Sequence, residues 1–481
     1  MSRTASSAEP VSIVVPAELQ GPLLDFLNAY QQVPRNVSSP QQLDDIEQQL
    51  AKASDNLFSA TMQTITQETV TFREPSRTRL GSLVPSWLRL LCQPKAFKNQ
   101  GRRTVSVRLS RGSAISIRVV YYSRKCDRGQ HREHKGCYPA LECLGIFDRC
   151  SPTLASHAAL TVALSGSFDE ARQMLRLQGI ALNGKTLTNL VYRFATRARQ
   201  NLRRVHYRLP GQPTVKGMRL VVALDGGRAR LRQNKPGKRR KSGRHGYRTP
   251  WREPKLLCIY AIDENGKKSK TFKPIVDGTF ELLEESEEIF DRLKGYLAAL
   301  RVEEAQALVF IGDGAPWVTN RVPKLLKELN LTEDQVHVVV DFYHAVEHVK
   351  AAAETQKKWT ETQRKAWIKK QRSRLYRGAV AKAIEDMEQL RGKKSKTETA
   401  YFVLRKEQMQ YSAFKKAGWP IGSGAVESAM RRIVNLRLKG AGMFWLQANA
   451  EHVLLLRCYA KAGRWIDLLP LALRSTLLPT P

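Results

Sequence analysis

Two aspartates follow apolar runs that have the length of buried strands. Asp225 comes directly after Val221–Leu224, and Asp313 comes directly after Leu308–Gly312; a glycine follows each. Neighbouring strands would hold the two carboxylates a few ångströms apart. Carboxylates that close repel each other unless a cation lies between them, and Mg²⁺ prefers carboxylate oxygens, water and phosphate as ligands. Either Asp-Gly pair alone would be typical of a turn, but the two together predict a metal site.

A third acid, Glu427, lies in the glycine-containing segment Pro420–Met430. Ser423 can cap a helix, which would place Glu427 in its first turn or just beyond. An ion pair with Arg431 is the alternative, but the flanking glycines favour close backbone approach. Three carboxylates on two strands and a helix can hold two metal ions, one to activate water or a 3′-hydroxyl and one to stabilise the leaving oxygen at phosphorus.

A strongly basic segment, residues 228–248, follows the first of these strands and contains no acidic residue. A run of charge is usually only a solvated face, but this one leaves the predicted metal strand directly, which favours contact with phosphates. Its basic residues are Arg228, Arg230, Arg232, Lys235, Lys238, Arg239, Arg240, Lys241, Arg244 and Arg248.

Two further motifs contain metal-binding residue types. Cys126, His131, His134 and Cys137 could bind Zn²⁺ but lack a CxxC pair, so they could equally be scattered residues of a basic loop. The segment His344–His348 fits the inverted zinc-peptidase pattern, with Glu427 as a possible third ligand. That reading leaves Asp225, Asp313 and the basic charge of the chain unexplained.

Short β-branched runs predict the strands that position the acids. They are Arg219–Leu224, Lys255–Ile262, Ala307–Ile311 and Val336–Val340. Residues 280–300 are predicted to be helical, as is the basic stretch from 341 to about 415. The fold class is therefore α/β, with a mixed core followed by a long basic helical segment.

The residues before this core predict helices and one β-hairpin. Residues 1–72 have a polar helical pattern, and the alternating runs 104–109 and 114–122 predict the hairpin. Ser167 begins a capping box, and a second helix starts near Asn183. This pair fits either a DNA-binding helix-turn-helix or an ordinary helical hairpin. The predicted DNA-contacting residues of the second helix are Lys185, Arg193 and Arg197.

The charge of the chain predicts a polyanionic partner. Its 481 residues have a net charge of +36, although residues 1–72 are acidic. Nucleic acid fits such an excess, because cations that neutralise phosphates release counterions. Seven cysteines indicate a reducing compartment. Without a secretory signal or a membrane-length apolar run, we expect a soluble intracellular protein with no membrane partner.

Several stretches of the chain are jointly specific, although none of them is specific alone. They are Leu224–Arg228, Thr249–Lys255, Gly312–Trp317, Asp341–His344, Gly418–Glu427, Arg437–Trp445, and Cys137–Leu141 through to Ser167–Ala171. Through these stretches the chain resembles bacterial insertion-sequence transposases of the ISKra group over about residues 100–465, and the resemblance implies a bacterial cytoplasmic protein associated with the nucleoid. The chain departs from the family in lacking paired CxxC-type cysteines.

The resemblance implies a ribonuclease H-like core in which Asp225, Asp313 and Glu427 are the catalytic, metal-binding triad for two Mg²⁺ or Mn²⁺ ions. It implies that His344, in an Asp341-x-x-His344 motif also seen in related Mutator-like transposases, assists catalysis, and we place Trp419 among the DNA-binding residues. The domains expected are 1–75, 76–206 for DNA binding, 207–345 with 416–445 as the core, 346–415 as a helical insertion, and 446–481.

The expected function is cleavage at element ends followed by strand transfer of the 3′-hydroxyl into target DNA, by a homo-oligomer assembled on double-stranded DNA with terminal inverted repeats. A structure-specific nuclease, or a DNA-binding protein derived from a transposase that has lost catalysis, are the alternatives.

Overall fold

The computed structural model describes residues 14–34, 36–73, 97–124, 137–209, 211, 214–237, 243, 245–280 and 287–474. The chain divides into two compact units. The first comprises residues up to 158, with 172–190 and those after 472; the second comprises 159–171 and 191–472. Among the described residues, no helix combines the length and apolar character needed to cross a membrane.

The amino-terminal elements are two helices, a β-hairpin and a group of shorter helices. The elements are α1 (Ala17–Gln31), α2 (Pro40–Arg73), β1 (Phe97–Arg108), β2 (Ala114–Arg124), α3 (Pro139–Cys143), α4 (Pro152–Leu164), α5 (Phe168–Leu177) and α6 (Gly184–Arg204). The predicted helical character is confirmed for residues 17–31, 40–72, 152–164, 168–177 and 184–204.

The predicted hairpin is also confirmed. β1 and β2 pair antiparallel from Arg108 opposite Ala114. Val105 and Val107 are buried while Ser106 between them is exposed, as alternation requires. Val70 of α2 belongs to the same core, so the hairpin is buried on one face by a helix.

Polar side chains cap the amino termini of helices α5 and α6, as the sequence predicts. The Ser167 hydroxyl accepts a hydrogen bond from the Glu170 N–H at 2.9 Å, and the Asn183 side chain accepts one from the Thr186 N–H at 2.8 Å. These bonds satisfy backbone donors that the first turn leaves without partners.

A mixed five-stranded sheet forms the centre of the second unit. Its strands are β3 (Arg219–Gly226), β8 (Lys255–Ile262), β9 (Ile275–Thr279), β10 (Ala307–Gly312) and β11 (Val336–Val340). Four short strands lie between β3 and β8 in the chain: β4 (Ala229–Arg230), β5 (Gln233–Asn234), β6 (Tyr247–Arg248) and β7 (Trp251–Arg252). The sheet order is β11-β10-β3-β8-β9. β3, β10 and β11 are parallel, whereas β8 is antiparallel to both of its neighbours.

All four predicted strands of the core are present, and β9 is an additional one. Residues Leu220–Leu224 of β3 are all buried, as expected for a central strand covered on both faces. Between β3 and β8 the described residues 227–237, 243 and 245–254 form an arm, in which β4 pairs with β7 and β5 pairs with β6. The arm thus contains two short antiparallel ladders that are separate from the five-stranded sheet.

Helices surround the sheet and form the segment between β11 and Glu427. They are α7 (Glu287–Leu300), α8 (Pro316–Thr319), α9 (Val322–Glu328), α10 (Phe342–Glu354), α11 (Glu361–Tyr376), α12 (Val380–Glu388), α13 (Lys393–Leu404), α14 (Tyr411–Lys416), α15 (Gly424–Met430), α16 (Leu436–Leu438), α17 (Gln447–Lys461) and α18 (Trp465–Leu473). A π-helix, Arg431–Asn435, continues α15. α15 packs against β3 and β8, which brings Glu427 to the sheet.

Candidate active site

Asp225 and Asp313 lie at the carboxyl ends of neighbouring parallel strands. The last paired residues of β3 and β10 are Ala223 and Ile311, so continuing the register by two residues places Asp225 opposite Asp313. Adjacent strands lie about 4.8 Å apart. One oxygen of Asp225 accepts the Gly226 N–H at 2.8 Å, and one oxygen of Asp313 accepts the Ala315 N–H at 2.8 Å.

Glu427 is in the first turn of α15 and is held there by a chain of hydrogen bonds. Its Oε1 accepts the Ser423 hydroxyl at 2.8 Å, and the Ser423 backbone N–H donates to the Asp341 carboxylate. Asp341 also accepts the His344 N–H at 2.8 Å, which caps α10, and its own N–H donates to the Gly312 carbonyl at 2.7 Å. Asp341 therefore ties together the end of β10 and the starts of α10 and α15.

The three acids act on one another electrostatically. Burial raises the pKa of Asp225 to about 7; the Gly226 N–H opposes this rise, and the charges of Asp313, Glu427 and Glu253 add to it. A carboxyl group with this pKa is costly to ionise in the folded chain. A divalent cation would remove that cost by neutralising the acids together.

The donor chemistry of the three acids fits Mg²⁺ or Mn²⁺, which take oxygen ligands. Within the described part of the chain, the second oxygen of Asp225, Asp313 and Glu427 has no hydrogen-bond partner and is available to a cation. Among the same residues, no three His, Cys, Asp or Glu side chains are gathered closely enough to ligate a single ion. Binding an ion would therefore draw the three carboxylates together.

His344 and His348 lie on the same side of α10, but each imidazole contacts a different glutamate. The His344 Nδ1 is 3.5 Å from Glu347. The His348 Nδ1 is 2.5 Å from Glu398 of α13, and its ring stacks on Tyr401 with centroids 3.8 Å apart. A peptidase-like zinc site would need both imidazoles and Glu427 around one ion, and the described residues contain no such group.

Two side chains that the sequence did not single out hold the turn after β10. The Tyr401 hydroxyl donates to the Asp313 carbonyl at 2.7 Å, and the Arg405 Nε donates to the Gly314 carbonyl at 2.7 Å. Gly314 has a φ of +73°, and a Cβ there would lie 2.9 Å from the Arg405 side chain. The turn therefore requires glycine, and α13 fixes the backbone that positions Asp313.

The arm between β3 and β8 carries the described part of the predicted phosphate-binding segment. Arg228 is exposed, Arg230 lies over the Trp251 ring at 4.9 Å, and Arg232 lies over Tyr247 at 4.4 Å. Both rings are more than 40% exposed, so the arm combines cations with accessible aromatic faces. The other predicted contacts lie outside the described residues: Lys238, Arg239, Arg240, Lys241 and Arg244.

The basic face predicted for α6 is only partly on the surface. Lys185 and Arg193 are exposed, but Arg197 is 5% exposed and its Nε donates to the Ala472 carbonyl at 3.0 Å. Its predicted DNA contact does not fit the structure, because helix packing encloses the side chain. Arg199 and Arg203 are also engaged by acids, Arg199 with Asp277 in a bidentate pair at 2.6 Å and Arg203 with Glu288.

Asp277 is the centre of a charge cluster that the sequence analysis missed. It is fully buried, and besides Arg199 it faces Arg292 at 3.5 Å and accepts the Tyr296 hydroxyl at 3.0 Å. Burial opposes its ionisation, but the two arginines prevail and lower its pKa to about 2. Arg199 of α6 and Arg292 of α7 thus stabilise β9 from other parts of the chain.

Trp419 and the cysteine–histidine cluster lie apart from the three acids or outside the described residues. Trp419 packs on His337 and Arg219, at the amino ends of β11 and β3, whereas Asp225 is about 20 Å further along β3. Cys126, His131 and His134 are outside the described residues, and the backbone of Cys137 pairs with Tyr122.

The acids, Asp341, Tyr401 and the arm all belong to the second compact unit. Their geometry is therefore a property of one folded body. Comparison of the chain with models of known protein families, with curated proteins and with solved structures finds no match.

Proposed function

We propose that the chain is a DNA transposase in which Asp225, Asp313 and Glu427 bind two Mg²⁺ or Mn²⁺ ions. The observation that carries the proposal is that Asp225 and Asp313 follow neighbouring parallel strands, with Glu427 on a helix packed against β3, and that the pKa of Asp225 is raised to about 7. Structural ion pairs also shift pKa values, but among the described residues Asp225, Asp313 and Glu427 have no basic partner within 4.0 Å.

The topology of the sheet supports a ribonuclease H-like core. Three antiparallel strands in chain order, β3, β8 and β9, are followed by β10 and β11, which run parallel to β3 on its other side. The first and fourth strands are then central neighbours. Acids at their ends would share one site, and the helices between β11 and α15 would return the third acid to it.

The residues of the chain would share the work of phosphoryl transfer. The bound cations would supply an activated water or 3′-hydroxyl and stabilise the leaving oxygen. Asp341 and Ser423 hold Glu427 in place, and Tyr401 holds the Asp313 turn. His344, on the first turn of α10 and 38% exposed, is placed to contact a phosphate or a DNA strand.

DNA would contact the basic arm and the exposed Arg193 in the second unit, and the exposed Lys185 would make a contact of its own in the first unit. Holding two element ends together implies at least a dimer on double-stranded DNA, and such DNA chemistry implies work at the nucleoid of a bacterial cytoplasm. The net charge of +36 supports a polyanionic substrate.

A strand-transfer assay tests the proposal. The full chain is incubated with Mg²⁺, labelled DNA ends of the element that carries the gene and a target plasmid. We expect joined products, which Asp225→Asn, Asp313→Asn and Glu427→Gln each abolish while DNA binding persists.

The alternatives give different products in the same assay. Cleavage without joining indicates a structure-specific nuclease, and binding without either product indicates a protein that has lost catalysis. Full joining by any one of the three variants would remove that residue from the site.

A further inference from the structure

A pocket of about 180 Å³ lies beside the sheet and is lined by cations from three separate elements. Lys268 comes from the segment after β8, Arg432 from the π-helix, and Lys461 from the end of α17. The remaining wall includes Tyr260 of β8 and small residues of α15 such as Ala425. The pocket has room for a tetrahedral oxyanion with a few water molecules.

The cations around this pocket have no acidic partners. No Asp or Glu is among the described residues that line it, and within the described part of the chain no carboxylate lies within 4.0 Å of Lys268, Arg432 or Lys461. Like charges held together without a counter-charge are unfavourable. Lys268 and Arg432 are exposed and Lys461 is half-buried, so water screens part of this repulsion and a bound anion would relieve the rest.

A fourth cation lies behind the pocket. Arg457 is 3% exposed, and its guanidinium donates to the Ile433 carbonyl at 2.9 Å and the Ala163 carbonyl at 2.6 Å, in place of a carboxylate. Burial, together with the charges of Arg457 and Arg432, lowers the pKa of Lys461. The positive potential in the pocket is therefore reinforced from within the fold.

The backbone at Arg432 is also unusual. Residues Arg431–Asn435 form a π-helix, a rare conformation often found at functional sites. Ala425 lines the pocket, and Glu427 lies roughly 200° around the helix from it. The pocket is therefore on a different face of α15 from the acidic site.

We propose that this pocket binds a phosphate group through Lys268, Arg432 and Lys461. The group belongs either to a DNA strand or to free phosphate, and the chemistry of recognition is the same in both cases. The inference does not depend on catalysis by the three acids.

Two binding measurements on the full chain test the proposal. In the first, thermal unfolding is followed with increasing inorganic phosphate, replacing chloride at constant ionic strength. In the second, the affinity for duplex DNA is measured as a function of salt concentration. The test variant is Lys268→Ala/Lys461→Ala, and Lys268→Gln/Lys461→Gln repeats it with longer side chains. The matched control, Lys267→Ala/Lys327→Ala, removes the same charge from exposed positions that do not line the pocket.

We expect phosphate to stabilise the wild-type chain and the control, and to bind the test variants at least about tenfold more weakly, as the loss of a charge-assisted contact requires. If the phosphate comes from DNA, the slope of the logarithm of the DNA-binding constant against the logarithm of the salt concentration becomes shallower in the test variants. The expected change is about 1.8, which is about 0.9 for each lost phosphate contact. An unchanged slope with lost phosphate stabilisation assigns the pocket to free phosphate.

The proposal is overturned if the test variants retain both the wild-type phosphate response and the wild-type salt slope, or if the control loses as much as they do. Unfolding without phosphate provides an internal check on folding. Because the lysines repel neighbouring cations, the test variants should be at least as stable as the wild type.

Discussion

Replacing Asp225 by asparagine should stabilise the metal-free chain above pH 7. The unfolded chain releases this proton near pH 3.8 and the folded chain near pH 7. Between these values the folded state holds the extra proton, so the free energy of unfolding falls as pH rises through the interval and stays low above it. The difference in pKa corresponds to about 4 kcal/mol, and screening by water in a partly open site reduces it to about 2 kcal/mol.

The assay is thermal unfolding in a metal chelator, at pH 8 and at pH 4. At pH 8 we expect Asp225→Asn to raise Tm by about 4–8 °C, since 1 kcal/mol shifts Tm by about 2–4 °C in a domain of this size; near pH 4 the difference should vanish. Excess Mg²⁺ should stabilise the wild type but not the variant. Asp291→Asn, at an exposed position of α7, is the control and should change neither value. A variant that is less stable than the wild type at pH 8 would refute the idea that burial, together with the neighbouring acids, makes an ionised Asp225 unfavourable in the metal-free site.

Three other changes test the surrounding structure. Asp277→Asn leaves Arg199 and Arg292 without their buried partner and should cost about 3–5 kcal/mol in urea unfolding, whereas Glu328→Gln, which breaks an exposed pair with Lys294, should change the unfolding midpoint far less, because water screens that pair; similar losses would contradict this account. Tyr401→Phe removes the hydrogen bond to the Asp313 carbonyl, so strand transfer should slow by about tenfold while DNA affinity is retained; an unchanged rate would show that the turn needs no such support. Arg228→Ala should make the slope of the logarithm of the duplex-binding constant against the logarithm of the salt concentration shallower by about 0.9. An unchanged slope would place Arg228 outside the DNA-binding surface.

Local sequence predicted the central strands because each is an uninterrupted apolar run. β9 was missed because Ile275–Thr279 contains an aspartate and a glycine, which disfavour strands in isolation. Asp277 is tolerated there only because Arg199 and Arg292, from other parts of the chain, surround it. No local pattern contains that information.

The same contacts explain which features of the candidate site could be predicted. Asp225 and Asp313 could be proposed from strand ends alone, since register brings such positions together. The arginines of α6 formed a basic face in the sequence, but Arg197 is enclosed by packing and Arg199 is paired with Asp277. Tyr401 carries no motif, and its role follows only from the packing of α13 against the turn after β10.

The packing of α13 also limits how this chain can be shortened. A chain that joined residue 341 directly to residue 418 would retain all three acids, yet it would lack both donors that hold the Asp313–Gly314 backbone. Gly314, whose φ is +73°, would then have greater backbone freedom than it has beside Arg405. Loops between the inserted helices can change length at little entropic cost. Removal of α13, by contrast, would loosen the backbone that positions Asp313.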